Sequence, residues 1–445
     1  MPEIQEVAQR LVSAALKAGA DEADVQVREG RQLHATVRMR ELETLQESAS
    51  RGFALRVHRD KRRALVRGMD FADESLERLA REAVDLAAVG EPDDYHRLPE
   101  PELCAAEWPD LDLHDSFEGP ETGDCIERAR RAEAAALDAD ERMENCQGSH
   151  FVRGEGRLQL MSSRGFEGGY PSSSWSMSVM PVARDGAGDR VTGSWSARAL
   201  HFEDLPEPEE IGGEAAHRVL RMCDPKPAPT GEAAVIFENE SAARMMGLLL
   251  QCLSGDSVWR GQSYLADRMG EEVASPLLSF VDDPHIPRGL GSQPFDGEGL
   301  AGARRVLVGA GRLESWLLDL ESARRLNLPP TGHGSWGGGV SPSNLFVEEG
   351  QGTLADLIAG TERGLLVTGY MGSGFEAASG HWSQGVEGIW VEEGRAVHPV
   401  KGATIAGNLD AVLRGIDAVA ADRDPSRGAL TAPSLRVASM TVSGG

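Results

Sequence analysis

Two pairs of carboxylates are close enough in sequence to share a metal ion or to work as acid and base: Asp282-Asp283 and Asp296/Glu298. In a chain with 71 acidic residues, turn-forming or solvated loop carboxylates are the favoured reading of both pairs. The eleven histidines do not cluster. His333, His381 and His398 each lie beside Gly or Pro, and three converging imidazoles would suit zinc. Exposed or hydrogen-bonded loop histidines are the simpler expectation. Gly332-His-Gly-Ser-Trp-Gly337 matches the dinucleotide pattern Gly-x-Gly-x-x-Gly letter for letter. It follows Leu-Pro-Pro rather than a strand and opens into Gly338-Gly-Val rather than a helix, so the context that gives the pattern its meaning is missing. A mobile Gly-rich loop, placed to cover a cavity or reach a partner, is expected instead. No Gly-x-Ser-x-Gly elbow, Walker loop or Cys/His spacing supports a serine hydrolase, an NTPase or a zinc finger. Trp382, Trp390 and Phe375 read as core or interface residues rather than a binding cage.

Composition narrows the function classes. The net charge of −26 argues against direct binding to a nucleic-acid backbone or an anionic membrane surface, since both need clustered positive charge. Five widely spaced cysteines without a Cys-x-x-Cys pair argue against a disulfide framework and for a reducing compartment. The N-terminus lacks the basic and apolar regions of a signal peptide, and no apolar run approaches a membrane span. A soluble, cytosolic protein is expected.

The elements that must position any site follow from periodicity. Ile4, Val7, Leu11, Val12, Ala15 and Ala18 fall at helical spacing, with Gly19 as a stop. Val25–Val27, Leu33–Met39, Phe53–Val57 and Ala64–Val66 read as strands of a meander, and Asp73 is placed to cap a second helix. Gly90 to Pro120 reads as a long irregular loop, and Asp124 to Asp140 as a third helix. Arg157–Ser163, Ser172–Ala183 and Arg190–Ala199 read as antiparallel strands, followed by a helix over Glu209–Met222. Three prolines between Asp224 and Gly231 mark a linker, which divides the chain into domains of residues 1–225 and 226–445.

In the second domain, Ala233–Phe237 is a short strand and Ser241–Leu253 is apolar on nearly every side, so it reads as a helix buried all round and stopped at Ser254-Gly-Asp256. Arg305–Leu318 and Gly388–His398 share one layout: an apolar strand, a tight Gly-Arg turn and a return strand. Leu354–Ala359 and Leu409–Ala420 read as helical and Ser434–Val442 as a last strand. Helices segregated from antiparallel sheets and hairpins give an α+β class.

The stretch Glu240 to Gly299, with Pro342-Ser-Asn-Leu-Phe346, Arg363-Gly-Leu-Leu-Val-Thr368, Gly385–Gly394, Pro399–Leu409 and Pro433-Ser-Leu-Arg436, resembles the TldD/PmbA family, and within it the PmbA (TldE) branch. The resemblance covers essentially the whole C-terminal half in order; the N-terminal half matches more loosely, through Ser48-Ala-Ser-Arg-Gly52. It implies a metalloprotease that works as a pair of one TldD and one PmbA chain, with peptide as substrate. The family also carries an older label as a modulator of DNA gyrase. The TldD branch has His-Glu-x-x-x-His on the helix equivalent to Ser241–Leu253. Counted back from Gly255-Asp256, that motif falls on Met246 to Gln251, where Met246, Gly247 and Gln251 replace the histidines and the glutamate. Zinc needs strong nitrogen, sulfur or carboxylate ligands and hydrolysis a base beside the metal, and these residues supply neither. At ~100° per residue, positions five apart lie ~140° apart around an ideal helix, so even a restored pair would need a distorted turn. No catalytic residue and no metal ligand is therefore expected in this chain. Zinc is expected in a TldD-like partner, within a heterodimer or a homodimer.

Overall fold

The computed structural model describes residues 3–117, 119–372 and 374–444. In chain order the elements are α1 (Ile4–Lys17), β1 (Glu22–Arg38), β2 (Glu41–Arg59), β3 (Arg62–Gly68), α2 (Asp73–Ala88), α3 (Thr122–Leu137), β4 (Met143–Ser162), β5 (Glu167–Arg184), β6 (Arg190–Thr192), β7 (Trp195–Ala199) and α4 (Pro208–Leu220). There follow β8 (Gly231–Phe237), α5 (Asn239–Leu253), α6 (Gly255–Trp259), β9 (Phe280–Asp283), β10 (Arg305–Gly309), β11 (Arg312–Leu313), α7 (Leu320–Leu326), β12 (Asn344–Val347), α8 (Leu354–Ala359), β13 (Arg363–Met371), β14 (Phe375–Glu376), β15 (His381–Glu392), β16 (Arg395–Asn408), α9 (Leu409–Arg414), β17 (Ile416–Val419), β18 (Leu430–Thr431) and β19 (Leu435–Ser443). The class is α+β, as the sequence pattern predicts.

The first sheet takes all its strands from before residue 200, in the order β3-β2-β1-β4-β5-β6, with β7 also on β5. Helices α1 and α2 cover one end of it through Val7, Leu11, Leu76 and Val84, and α3 and α4 cover the other through Ala129, Ala132, Ile211 and Ala215. Gly212 lets α4 approach closely, since a Cβ there would lie 2.1 Å from the Ala132 carbonyl oxygen. The strands are longer than the sequence suggests. Val25–Val27 and Leu33–Arg38 belong to one strand, and the charged stretch Glu41–Arg51, exposed along its whole length, still pairs with β1, with one bulge at Glu43. Hydrophobic alternation marks only the part of a strand that covers a core. The β1–β2 turn places Met39 and Arg40 at φ 50° and 68°, and the buried Glu133 carboxylate accepts both their N–H groups at 2.7 and 2.6 Å. Asp73 is the first helical residue of α2 and pairs with Arg10, rather than capping the helix; Asp70 instead accepts the Ala72 N–H at 3.0 Å.

Two further sheets use only residues after 230. One runs β11-β10-β9-β12-β18. In the other, β13 pairs with both β8 and β15, so the order β13-β8-β19-β16-β15 returns to β13 and closes. Val235, Phe237, Leu365 and Val367 join the main core, while Ile236 and Leu366 face a smaller outer cluster with Leu357 and Ala420. Trp390 is fully buried and Trp382 stacks on Phe237 at 6.0 Å, so both are core residues. The two expected hairpins are present, turning at Ala310-Gly311 and Glu393-Gly394 with positive φ at both positions, the turn whose twist matches paired strands. Leu409–Ala420 is not one helix: α9 ends at Gly415 and the chain continues as β17 along β19.

The segment between α4 and β8 is tied down. Lys226 donates to the Pro399 carbonyl at 2.9 Å, Gly444 donates to the Thr230 hydroxyl at 3.1 Å, and Ala228 is buried. The long loop after α2 also joins the two halves, with the Arg324 guanidinium donating to the carbonyls of Tyr95, Arg97 and Leu98.

Candidate functional site

Helix α5 forms because its residues, Asn239 to Leu253, contain no proline and one glycine, and because its buried residues, from Ala242 through Met245, Met246 and Leu249 to Leu253, recur at helical spacing. Ser254 ends it in an extended conformation, and the short α6 starts at once. Ala242, Met245, Met246, Leu249, Cys252 and Leu253 point into the main core. The helix is not buried all round, however: Arg244 and Gln251 are exposed and Gly247 and Leu248 half-buried, which makes one open stripe of side chains three to four residues apart. Apolar composition hid this stripe because Leu248 and Gly247 look like core residues. Leu430 of β18 borders it, 3.6 Å from where a Cβ on Gly247 would lie.

The three positions of the degenerate motif are therefore split. Met246 is fully buried in the core, Gly247 lies half-buried on the open stripe and Gln251 is exposed. The fold does not bring positions 246 and 251 to a common point. A zinc ion does not fit the residues present here: a buried thioether, a missing side chain and an amide are not the donor set it requires.

The remaining candidates are scattered. His333 is buried, not part of a mobile loop, and donor–acceptor contacts hold both ring nitrogens, Nδ1 at 2.8 Å from Thr331 Oγ1 and Nε2 at 3.0 Å from Asp282 Oδ2. Of the Gly-rich stretch, Thr331 to Gly334 and Trp336 are buried and Gly337 and Gly338 exposed. His381 and His398 lie on paired strands opposite Asn408 and Trp390, so about 30 Å of strand separates them. The three histidines do not converge.

The acidic pairs do form turns, Asp283 and Asp296 each accepting the N–H two residues on, from His285 and Glu298, at 2.9 Å, but Asp282 and Asp296 are buried rather than solvated. Asp282 is fully buried and accepts hydrogen bonds from the Ser343 N–H at 2.8 Å and from its hydroxyl. Asp296 is also buried and accepts three backbone N–H groups, from Glu298, Leu300 and Gly334, at 2.7 to 2.9 Å. Glu298 accepts the Leu320 N–H at 2.9 Å. Beside them, Arg56 of β2 makes a bidentate pair with Asp24 of β1 at 2.9 and 2.7 Å, and its guanidinium lies 5.5 Å from the Trp336 ring. This junction of Asp24, Arg56, Asp296, Glu298 and Asp319 joins the first sheet to the loops of the second half.

Burial pushes the Glu298 carboxyl up to about 8, helped by Asp296 and opposed by Arg56. Burial also raises Asp296, against the three N–H groups it accepts. Between the ordinary carboxylate range and these raised values, the folded chain keeps protons that the unfolded chain has lost. Stability therefore falls as pH rises through that window. Glu298→Gln keeps an acceptor for Leu320 and removes the charge. The expected result is a smaller loss of thermal midpoint between pH 5 and pH 9 than in the parent chain. Equal losses in both would show that Glu298 is not the group responsible.

One trio has the spacing of a metal site: His96 Nε2 lies 3.8 Å from Asp93 and 3.5 Å from Glu321. Arginines already answer these carboxylates, Arg325 on both and Arg63 on Glu321 at 3.5 Å, and burial followed by Arg63 lowers the His96 pKa. The trio reads as an ion network between the halves, because two guanidiniums beside it oppose a cation.

Comparison with known proteins places this geometry. Three family models match: the PmbA/TldA metallopeptidase domain 1 over residues 23–87, its central domain over 115–222 and its C-terminal domain over 230–444. Metalloprotease PmbA of Escherichia coli O157:H7 is 33% identical over 98% of this chain and 96% of its own length. A metalloprotease PmbA homologue of Haemophilus influenzae is 31% identical over 99% and 96%. A crystal structure from Bacteroides thetaiotaomicron, described as a candidate modulator of DNA gyrase, superposes with a TM-score of 0.93 at 28% identity, covering 99% of this chain and 98% of that one. Full-length similarity to proteins named PmbA, across all three family domains, makes this chain a member of the TldD/PmbA family in its PmbA (TldE) branch.

Proposed function

We propose that this chain is the PmbA/TldE-type subunit of a cytosolic two-chain metalloprotease, paired with a TldD-like chain that holds the zinc and acts on unfolded or extended peptides. The observation that carries the reading is α5. It presents an open stripe at the place where the TldD branch has its metal motif, yet that stripe offers Gly247, Leu248 and Gln251 and no metal donor. The chain thus contributes shape rather than a catalytic metal, and neither zinc binding nor peptide hydrolysis is expected of it alone. Peptide would be held mainly through main-chain hydrogen bonds to free strand edges, which tolerate many sequences. A second reading, a regulatory protein, draws on the description of the Bacteroides structure as a candidate gyrase modulator. The net charge of −26 disfavours direct contact with DNA in that role.

Co-expression with a TldD-like chain, followed by an assay of cleavage of a long unstructured peptide, tests the proposal. The two chains should copurify, and cleavage should need both. A TldD-like chain that cleaves equally well alone and does not copurify would remove the subunit reading and leave the regulatory one.

A further inference from the structure

A cleft of about 350 Å³ opens at the N-terminal end of the α5 stripe, between α4, the β6–β7 connection and β13. It is rich in guanidinium for so acidic a chain: Arg218, Arg221, Arg244 and Arg427 line it, together with the carboxylates of Glu240 and Glu387. Arg218 and Arg427 sandwich the Trp195 ring at 3.9 and 3.6 Å. Glu238 and Glu240 hold most of their N–H groups: Arg221 donates to Glu238 at 2.9 and 2.7 Å, and Arg218 donates to Glu240 at 2.9 Å. Two donors are left over. Arg221 Nε and Arg427 Nη1 are buried and have no hydrogen-bond partner among the described residues. Arg244 adds a guanidinium with no carboxylate partner among the described residues, 5.7 Å from the Tyr370 ring. Those two buried N–H groups face no solvent, so Arg244 is the guanidinium open to a ligand. The planar Arg244 guanidinium can give a carboxylate two parallel N–H bonds.

The wall of the same cleft is a strand edge. β8 pairs with β13 only as far as Phe237 and Val367, because the chain turns into α5 at Asn239. Thr368 to Tyr370 therefore have no strand neighbour on that side among the described residues, and these residues line the cleft.

We propose that this cleft binds the free α-carboxylate at the C-terminus of a peptide, whose last residues lie along the edge Thr368–Tyr370. The inference rests on the peptide-handling reading above and gives it an end-group specificity. Binding is measured on the full chain by itself, with a fluorescein-labelled unstructured decapeptide ending in a free acid, the same peptide as its C-terminal amide, and inorganic phosphate as competitor. The acid should bind at least about tenfold more tightly than the amide, as expected for charge-assisted hydrogen bonds. Arg244→Gln should abolish the difference, and Arg244→Lys should recover part of it. Arg244 is exposed and makes no ion pair among the described residues, so its loss should leave the thermal midpoint unchanged. Equal affinity for acid and amide, no binding of either, or an Arg244→Gln chain that still discriminates would each overturn the proposal. So would competition by phosphate without any preference for the acid, which would mark a simple anion site. The subunit reading stands or falls separately, on copurification and cleavage, neither of which this measurement uses.

Discussion

Replacing Arg56 with methionine is expected to destabilise the protein by about 3–5 kcal/mol, the usual cost of breaking a buried ion pair from one side. Asp24 is 3% exposed and has both carboxylate oxygens on the Arg56 guanidinium. Methionine fills much of the same volume but leaves that carboxylate without a donor. The loss extends further, because Arg56 is the positive charge that opposes the raised Glu298 carboxyl. A second substitution separates the two effects. Asp24→Asn together with Arg56→Met removes the stranded charge and should recover part of the loss, the remainder reflecting Glu298 and Asp296. Urea unfolding of the two variants beside the parent reads both. A loss below about 1 kcal/mol in the single variant would place this pair among surface-like ion pairs. It would also deny the junction its part in joining the first sheet to the second half.

Rebuilding the zinc motif of the TldD branch in α5, by Met246→His, Gly247→Glu and Gln251→His, is expected to give a less stable chain without zinc. The Met246 side chain is fully buried among core residues, so the new imidazole would enter an apolar site with two polar nitrogens and no partner. Each unsatisfied buried group costs about 1–3 kcal/mol. Position 251 lies on the exposed side, so the two histidines would not meet around one ion. Glutamate at 247 should be tolerated, since its Cβ would meet Leu430 at ordinary contact distance. The measurements are the urea midpoint and the metal content after dialysis against zinc. One equivalent of zinc held by both histidines would show that α5 can rewind to turn position 246 outward.

That Met246 to Gln251 holds no histidine, cysteine or carboxylate is legible in the residues themselves, because a donor set is a matter of side-chain type. So are most elements and the two hairpins, whose turns at Gly311 and Gly394 have positive φ and whose strands alternate beside a core. Local sequence determines local conformation wherever one face is buried. Where neither face is buried, as at Glu41–Arg51, nothing local marks the strand, and only pairing with β1 reveals it.

Burial of charge was decided by the tertiary structure alone. Asp24, Arg56, Asp282, Asp296, Glu298 and His333 come from positions up to about three hundred residues apart, and in a strongly acidic chain nothing in their local sequence marks them as buried. Only when β1 and β2 meet the loops before and after α7 do these groups lose water and find each other. The same holds for α5. Its composition predicts burial on every side, but a helix is covered only where neighbours exist, and between Leu430 and Tyr370 the fold leaves one stripe open. Which way Met246, Gly247 and Gln251 point, and so what this helix can contribute to a site, is set by those long-range contacts rather than by the order of its residues.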